Sequence, residues 1–155
     1  MRQWTEPITD RSRLDIMGRT LKAYLHAGDL NRIESNIAYL SERLKRQGYS
    51  IHVIAVNDWN RDDIPRAADI RHICESIAAI TQAYYEPDDY TGISDIPDRA
   101  LHYSDVNSIE KNLSGIKDLI DRGLKHSYLK RYTHEELNAF THEQIRMGGM
   151  ASPAS

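Results

Sequence analysis

His26-Ala27-Gly28-Asp29-Leu30-Asn31-Arg32-Ile33-Glu34-Ser35-Asn36-Ile37 returns as His102-Tyr103-Ser104-Asp105-Val106-Asn107-Ser108-Ile109-Glu110-Lys111-Asn112-Leu113, 76 residues further on. The chain therefore carries an internal duplication. A fainter third copy, Asp69-Ile70-Arg71-His72-Ile73-Cys74-Glu75-Ser76-Ile77, lies 40 residues after the first. It keeps the aspartate and the apolar positions but has neither the asparagines nor the glutamate. The apolar residues of each copy fall at helical spacing, and a repeated helix points to similar units that bury a shared core.

Working outward, Asp29 is placed to cap a helix that runs through Arg46, with Ile33, Ile37, Leu40 and Leu44 as its buried stripe and Gly48 just past its end. Upstream, Trp4-Thr5-Glu6-Pro7-Ile8-Thr9-Asp10 reads as an extended arm laid on the core. Ser12 and Asp15 form a capping-box pattern that opens a first helix from about Arg13 to Leu25, with Leu14, Met17, Leu21 and Tyr24 on one stripe. Downstream, Tyr49 to Val56 is the one β-like stretch, a short strand or an extended strap. Pro65 suits the first turn of a third helix built on Ile70, Ile73, Ile77 and Ile80, which Pro87 stops after Tyr84 and Tyr85. Residues 86–103 form a long polar loop of the kind that often carries recognition. A fourth helix begins at Asp105, packs through Val106, Ile109, Leu113, Ile116 and Ile120, and ends at Gly123.

These elements predict a mainly α fold, a small bundle of about four helices, all contributing to one core, with a duplicated helix motif and one extended or β strap. Residues 1–125 form the helical body. Residues 126–155 are expected to be a partner-binding extension, because Gly148-Gly149-Met150-Ala151-Ser152-Pro153-Ala154-Ser155 has little with which to pack. Within it Tyr132-Thr133-His134-Glu135-Glu136-Leu137 and Phe140-Thr141-His142-Glu143-Gln144-Ile145 repeat at a spacing of 8, each with a Thr three residues before Glu or Gln, the capping-box pattern.

Bulk properties narrow the function. A chain of 155 residues can bury a sizeable core without staples, and a lone Cys74 in an apolar helix pattern reads as a buried, inert thiol. A net charge of −3, with bases and acids interleaved, gives nucleic-acid binding no electrostatic support. No apolar stretch approaches the roughly 20 residues a membrane span needs, and the first residues lack the apolar core of a leader peptide.

Asn31, Glu34 and Asn36, with their copies Asn107, Glu110 and Asn112, are the first candidates for a polar site because they recur together. They could line a ligand cleft or hold a metal. The favoured reading is a structural joint, in which they satisfy peptide groups of an incoming arm or loop, since buried peptide groups require partners. Seven histidines invite a metal reading, but His134 and His142 are eight apart and no ligand at helical spacing completes a site. Asp58, Asp62 and Asp63 match a calcium loop only loosely. No nucleophile elbow, phosphate loop or zinc motif is present, so neither catalytic residues nor a cofactor is assigned. Among Trp4, Trp59, Tyr84, Tyr85, Tyr90 and Tyr103, the loop residue Tyr90 is the candidate ligand contact.

The arm Trp4-x-x-Pro7-Ile8-Thr9-Asp10-Arg11, the segment Asp29-Leu30-Asn31-Arg32-Ile33-Glu34-x-Asn36-Ile37-x-Tyr39-Leu40 and the segment Tyr103-Ser104-Asp105-Val106-Asn107-x-Ile109-Glu110 resemble small virion proteins and tail-protein modules of phages and prophages of Gram-positive bacteria. The likeness spans roughly the first 125 residues, and the terminal Thr-His units resemble short repeats of tail-fibre and baseplate polypeptides. It implies a noncatalytic, multicopy tail, baseplate or fibre adaptor, made in the bacterial cytoplasm and located in the virion. Its expected partners are other virion proteins or copies of itself, gripped through Tyr132, His134, Leu137, Phe140, His142 and Ile145. The alternatives are a module that binds host-surface glycan through Tyr90 and, behind it, a cell-wall-degrading enzyme.

Overall fold

Three long helices, with extended segments before a short first helix and between the later helices, define the architecture of the computed structural model, which describes residues 3–20, 22 and 25–124. The elements are α1 (Arg13–Met17), α2 (Ala27–Arg46), α3 (Ala67–Ala83) and α4 (Tyr103–Asp121), with one 3₁₀ turn at Ile96–Asp98. There is no strand among the described residues. The expected extension at 126–155, with Tyr132, His134, Leu137, Phe140, His142 and Ile145, lies outside the described residues.

The long helices start alike because their sequences start alike. In α2 the His26 ring accepts from the Gly28 N–H at 3.1 Å while Asp29 accepts the His26 N–H at 3.3 Å. In α4 the His102 ring and Asp105 take the Ser104 and His102 N–H groups at 3.3 and 2.7 Å. In α3 Asp69 takes the Arg66 N–H at 2.7 Å. The aspartates therefore stand at the third helical position and reach back, instead of capping, so α2 begins at Ala27, three residues before the start a cap at Asp29 gives, and α4 at Tyr103, two residues before the expected start at Asp105. Pro65 likewise precedes α3 and is not in its first turn. At the other ends, Gly48 and Gly123 adopt φ of +97° and +81°, a left-handed turn that glycine makes without strain.

The core is the meeting of three stripes: Ile33, Ile37, Leu40 and Leu44 on α2, Ile70, Ile73, Ile77 and Ile80 on α3, and Val106, Ile109, Leu113, Ile116 and Ile120 on α4, all buried. Each of these helices touches the other two. The first helix differs from expectation. It ends at Met17, where Gly18 and the left-handed Arg19 (φ 52°) turn the chain, and it buries no residue. Leu14 and Met17 are 75% and 68% exposed, so the periodicity there does not mark a core face; Leu21 and Tyr24 lie outside the described residues.

The β-like stretch is a strap. Tyr49 and Ile51 are buried and Val53 partly so, while Ile54 and Val56 are exposed. The segment 86–102 is also a strap and not a free loop: it buries Pro87, Ile93, Ile96 and Pro97, and its 3₁₀ turn packs on α3.

Candidate functional site

An extended segment outside a sheet must find partners for its peptide groups, and here they are helix side chains. Asn36 of α2 accepts the Thr5 N–H at 3.0 Å and donates to the Thr5 carbonyl at 2.8 Å. Asn107 of α4 treats Arg11 the same way, at 3.1 and 2.8 Å. Asn31 clamps Trp59 at 3.0 and 2.9 Å, and Asn112 clamps Thr91 at 2.9 and 2.8 Å. A side-chain amide carries one acceptor and one donor at the spacing of a peptide edge, so each asparagine acts as a single rung of a sheet. Glu110 takes the Ile8 N–H at 3.2 Å, and Glu34 lies beside the Val56 N–H, which favours its charged form.

These contacts form three related joints. In each, a strap passes beside the glutamate position of one repeat helix while the next helix contributes its first turn. In the first joint Glu110 meets Ile8 and Arg11 of the arm together with Asp29 and Arg32 of α2. In the second, Glu34 meets Val56 and Trp59 of the second strap together with Asp69 and His72 of α3. In the third, Cys74 and Arg71 replace the glutamate and first asparagine, beside Ser94 and Pro97. The correspondence is positional: Arg32 and Asp29 lie 40 residues before His72 and Asp69, and Arg11 and Trp59 are each held by the same asparagine of the motif.

The joints differ in charge. In the first, Arg11 Nη2 reaches Asp29 at 3.0 Å and Glu110 at 2.8 Å, and Arg32 reaches Glu110 through Nε and Nη2, both at 2.7 Å, and Asp29 at 2.6 Å. Two guanidiniums thus meet two carboxylates, with Arg11, Asp29 and Glu110 buried. The third joint has Cys74 at the repeat's glutamate position, and Ser108 stands where α2 has Arg32. Its aspartate, Asp105, is gripped bidentately by Arg99 at 2.8 Å on both oxygens, which holds the Asp105 carboxyl below its ordinary range.

The second joint is unbalanced. Glu34 is 2% exposed and its Oε1 has no hydrogen-bond partner. It lines a cavity of about 370 Å³ together with Ile54, Val56, Asp58, Trp59, Asp63, Asp69 and His72. Burial pushes the Glu34 carboxyl up, outweighing the Val56 N–H, His72 and the nearby Trp59 indole, which favour its charged form. The indole Nε1 is itself buried and unpartnered, so it faces the carboxylate without hydrogen-bond geometry. His72 Nε2 is engaged by the Ile54 carbonyl at 2.5 Å.

The six recurrent residues divide accordingly: Asn31, Asn36, Asn107 and Asn112 clamp straps, Glu110 sits in a neutralised ion cluster, and Glu34 faces a cavity. Tyr90 is half-buried and packs against the core, where burial raises its phenol. Cys74 is buried and its thiol is pushed up to about 11 by burial, so it is a thiol at neutral pH. Among the described residues no group of three or more His, Cys, Asp or Glu side chains is arranged to hold a metal ion, and no helix is long and apolar enough to cross a membrane. Arg11, Arg32 and His72 are site residues that the sequence pattern does not mark, and Asp29 and Asp69, legible as helix-start residues, serve the joints as well. The third copy carries a signal for the helix residues, since it aligns His72 with Arg32 and Asp69 with Asp29; the strap residues Arg11 and Trp59 lie outside the repeat.

No protein-family model matches the chain, and no curated protein or solved structure is detectably similar to it. What the geometry defines is a class of fold: a three-helix core laced by straps through asparagine clamps.

Proposed function

We propose that this chain is a noncatalytic structural module of a phage virion, a tail, baseplate or fibre adaptor that assembles through protein–protein contacts. The observation that carries the reading is where the recurrent polar residues spend their hydrogen bonds: four asparagines clamp backbone of the chain itself, and Glu110 is consumed by Arg11 and Arg32. Side chains that repeat in order to lace a scaffold leave the chemistry of the site internal, which suits a part that must hold shape under load. The sequence resemblance supplies the setting. Glycan binding through Tyr90 draws less support, because that ring packs on the core instead of standing free.

The test is assembly. Deleting residues 126–155 should abolish incorporation into tail particles while the circular-dichroism melting of the helical body stays within a few degrees of the full chain's. Incorporation of the shortened chain at normal copy number would remove the assignment of the contact to that segment. Particles that form and adsorb normally without the protein would sink the structural reading.

A further inference from the structure

We propose that the cavity at Glu34 is a receptor for an arginine side chain supplied by a partner protein. This goes beyond the virion reading and stands on separate observations, so either can fail alone.

The first joint serves as the template. There the same two carboxylate positions, Glu110 and Asp29, are bridged by two guanidiniums, one from the strap and one from the neighbouring helix. In the second joint the strap residue is Trp59 and the helix residue is His72, so both guanidiniums are missing while both carboxylates, Glu34 and Asp69, remain. The third joint shows what a retired site looks like: Cys74 has replaced the glutamate, Ser108 occupies the arginine position, and Asp105 has its own arginine. Only the second keeps a buried carboxylate with an unpartnered oxygen.

Leaving such an oxygen unmet is costly, and a charge-assisted donor removes the cost. The cavity, about 370 Å³, is many times the roughly 30 Å³ of one water, enough for a side-chain head group. Trp59 lines it, and an aromatic surface suits a planar guanidinium better than a compact ammonium. Asp58 and Asp63 are exposed at the same cavity and add negative potential that draws a cation in. A metal ion fits less well, since no three ligating side chains converge there. The fork of an arginine matches the carboxylate arrangement that the molecule itself fills with arginine elsewhere.

The full chain, ¹⁵N-labelled, can be titrated with acetyl-arginine-amide and with acetyl-citrulline-amide, the uncharged isostere, following the two tryptophan indole N–H signals assigned with Trp4→Phe. Arginine should shift Trp59 saturably and leave Trp4 in place, and citrulline should bind at least about tenfold more weakly. Glu34→Gln should weaken arginine binding about tenfold. His72→Arg rebuilds the first joint from within and should abolish binding while the indole spectrum stays folded, which keeps the test decisive where Glu34→Gln alters the fold. The proposal is overturned by the absence of a saturable Trp59 response, as when the chain's own arginines at 125–155 fill the cavity. It is equally overturned by an equal response to citrulline, or by binding that survives both Glu34→Gln and His72→Arg.

Discussion

Glu110→Gln and Glu34→Gln make the same chemical change at equivalent positions of the repeat, and the structure predicts a large loss of stability for the first and none for the second. At Glu110 the substitution leaves the Arg11 and Arg32 guanidiniums facing Asp29 alone, in a site where Arg11 is 4% and Glu110 0% exposed. Breaking a buried ion cluster by removing one partner costs about 3–5 kcal/mol. For a folded body of this size that lowers the melting temperature by roughly 10–20 °C. At Glu34 the same change removes a carboxyl whose charged form burial disfavours and no guanidinium meets, so the variant should equal or exceed the parent at neutral pH. The pH dependence follows from the direction of the shift. Burial raises the Glu34 pKa in the fold above its unfolded value, so its contribution to stability is present in acid and lost as pH rises through the folded pKa. The advantage of Glu34→Gln should therefore be largest at neutral pH and shrink towards about pH 4. Urea unfolding followed by circular dichroism across that range measures both variants. His72→Arg should stabilise the parent and lose that effect in the Glu34→Gln background, a coupling that a double-mutant cycle isolates. Equal losses for the two glutamine variants would refute the claim that the joints differ in charge balance.

Asn112→Ala strips both partners from Thr91 and should cost about 2–3 kcal/mol in urea unfolding, with faster hydrogen exchange at the Thr91 amide; unchanged exchange there would contradict the clamp. Asp105→Asn removes a carboxylate held below its usual pKa chiefly by Arg99. That contribution is present above the unfolded value and lost as pH falls through the folded one, so the variant should be less stable by about 1 kcal/mol at pH 7 and approach the parent in acid titration.

Much of the fold was legible because three helices obey one pattern. The stripes on α2, α3 and α4 lie in the core where their 3.6-residue spacing put them, and Gly48 and Gly123 mark the ends of α2 and α4. The first helix misled because Leu14 and Met17 keep a helical spacing that has no surface to face: Gly18 and Arg19 turn the chain before a second turn can pack, and periodicity alone carries no information about what lies opposite. The aspartates place the starts of α2 and α4 three and two residues too late, since a carboxylate serves either as the cap or as the residue that reaches back to it, and here a histidine ring takes the capping role. The strap between Tyr49 and Asp63 was readable as extended but not as clamped, because its partner Asn31 lies 28 residues from Trp59 and only the fold brings them together.

The unbalanced joint was hidden for a related reason. Glu34 and Glu110 are identical letters in aligned copies, and what separates them is the identity of residues on other elements: Arg11 against Trp59, Arg32 against His72. The charge states of the joints form a sequence with physical meaning. Losing carboxylate and guanidinium positions together, as at Cys74 and Ser108, leaves no orphan and is cheap; losing the guanidiniums alone leaves the Glu34 carboxylate desolvated and is expensive. Of the buried side-chain atoms left without a partner, two, Glu34 Oε1 and Trp59 Nε1, fall in the second joint, and such departures from local consistency concentrate at functional positions. That asymmetry among copies, more than any residue taken singly, directs attention to the second joint.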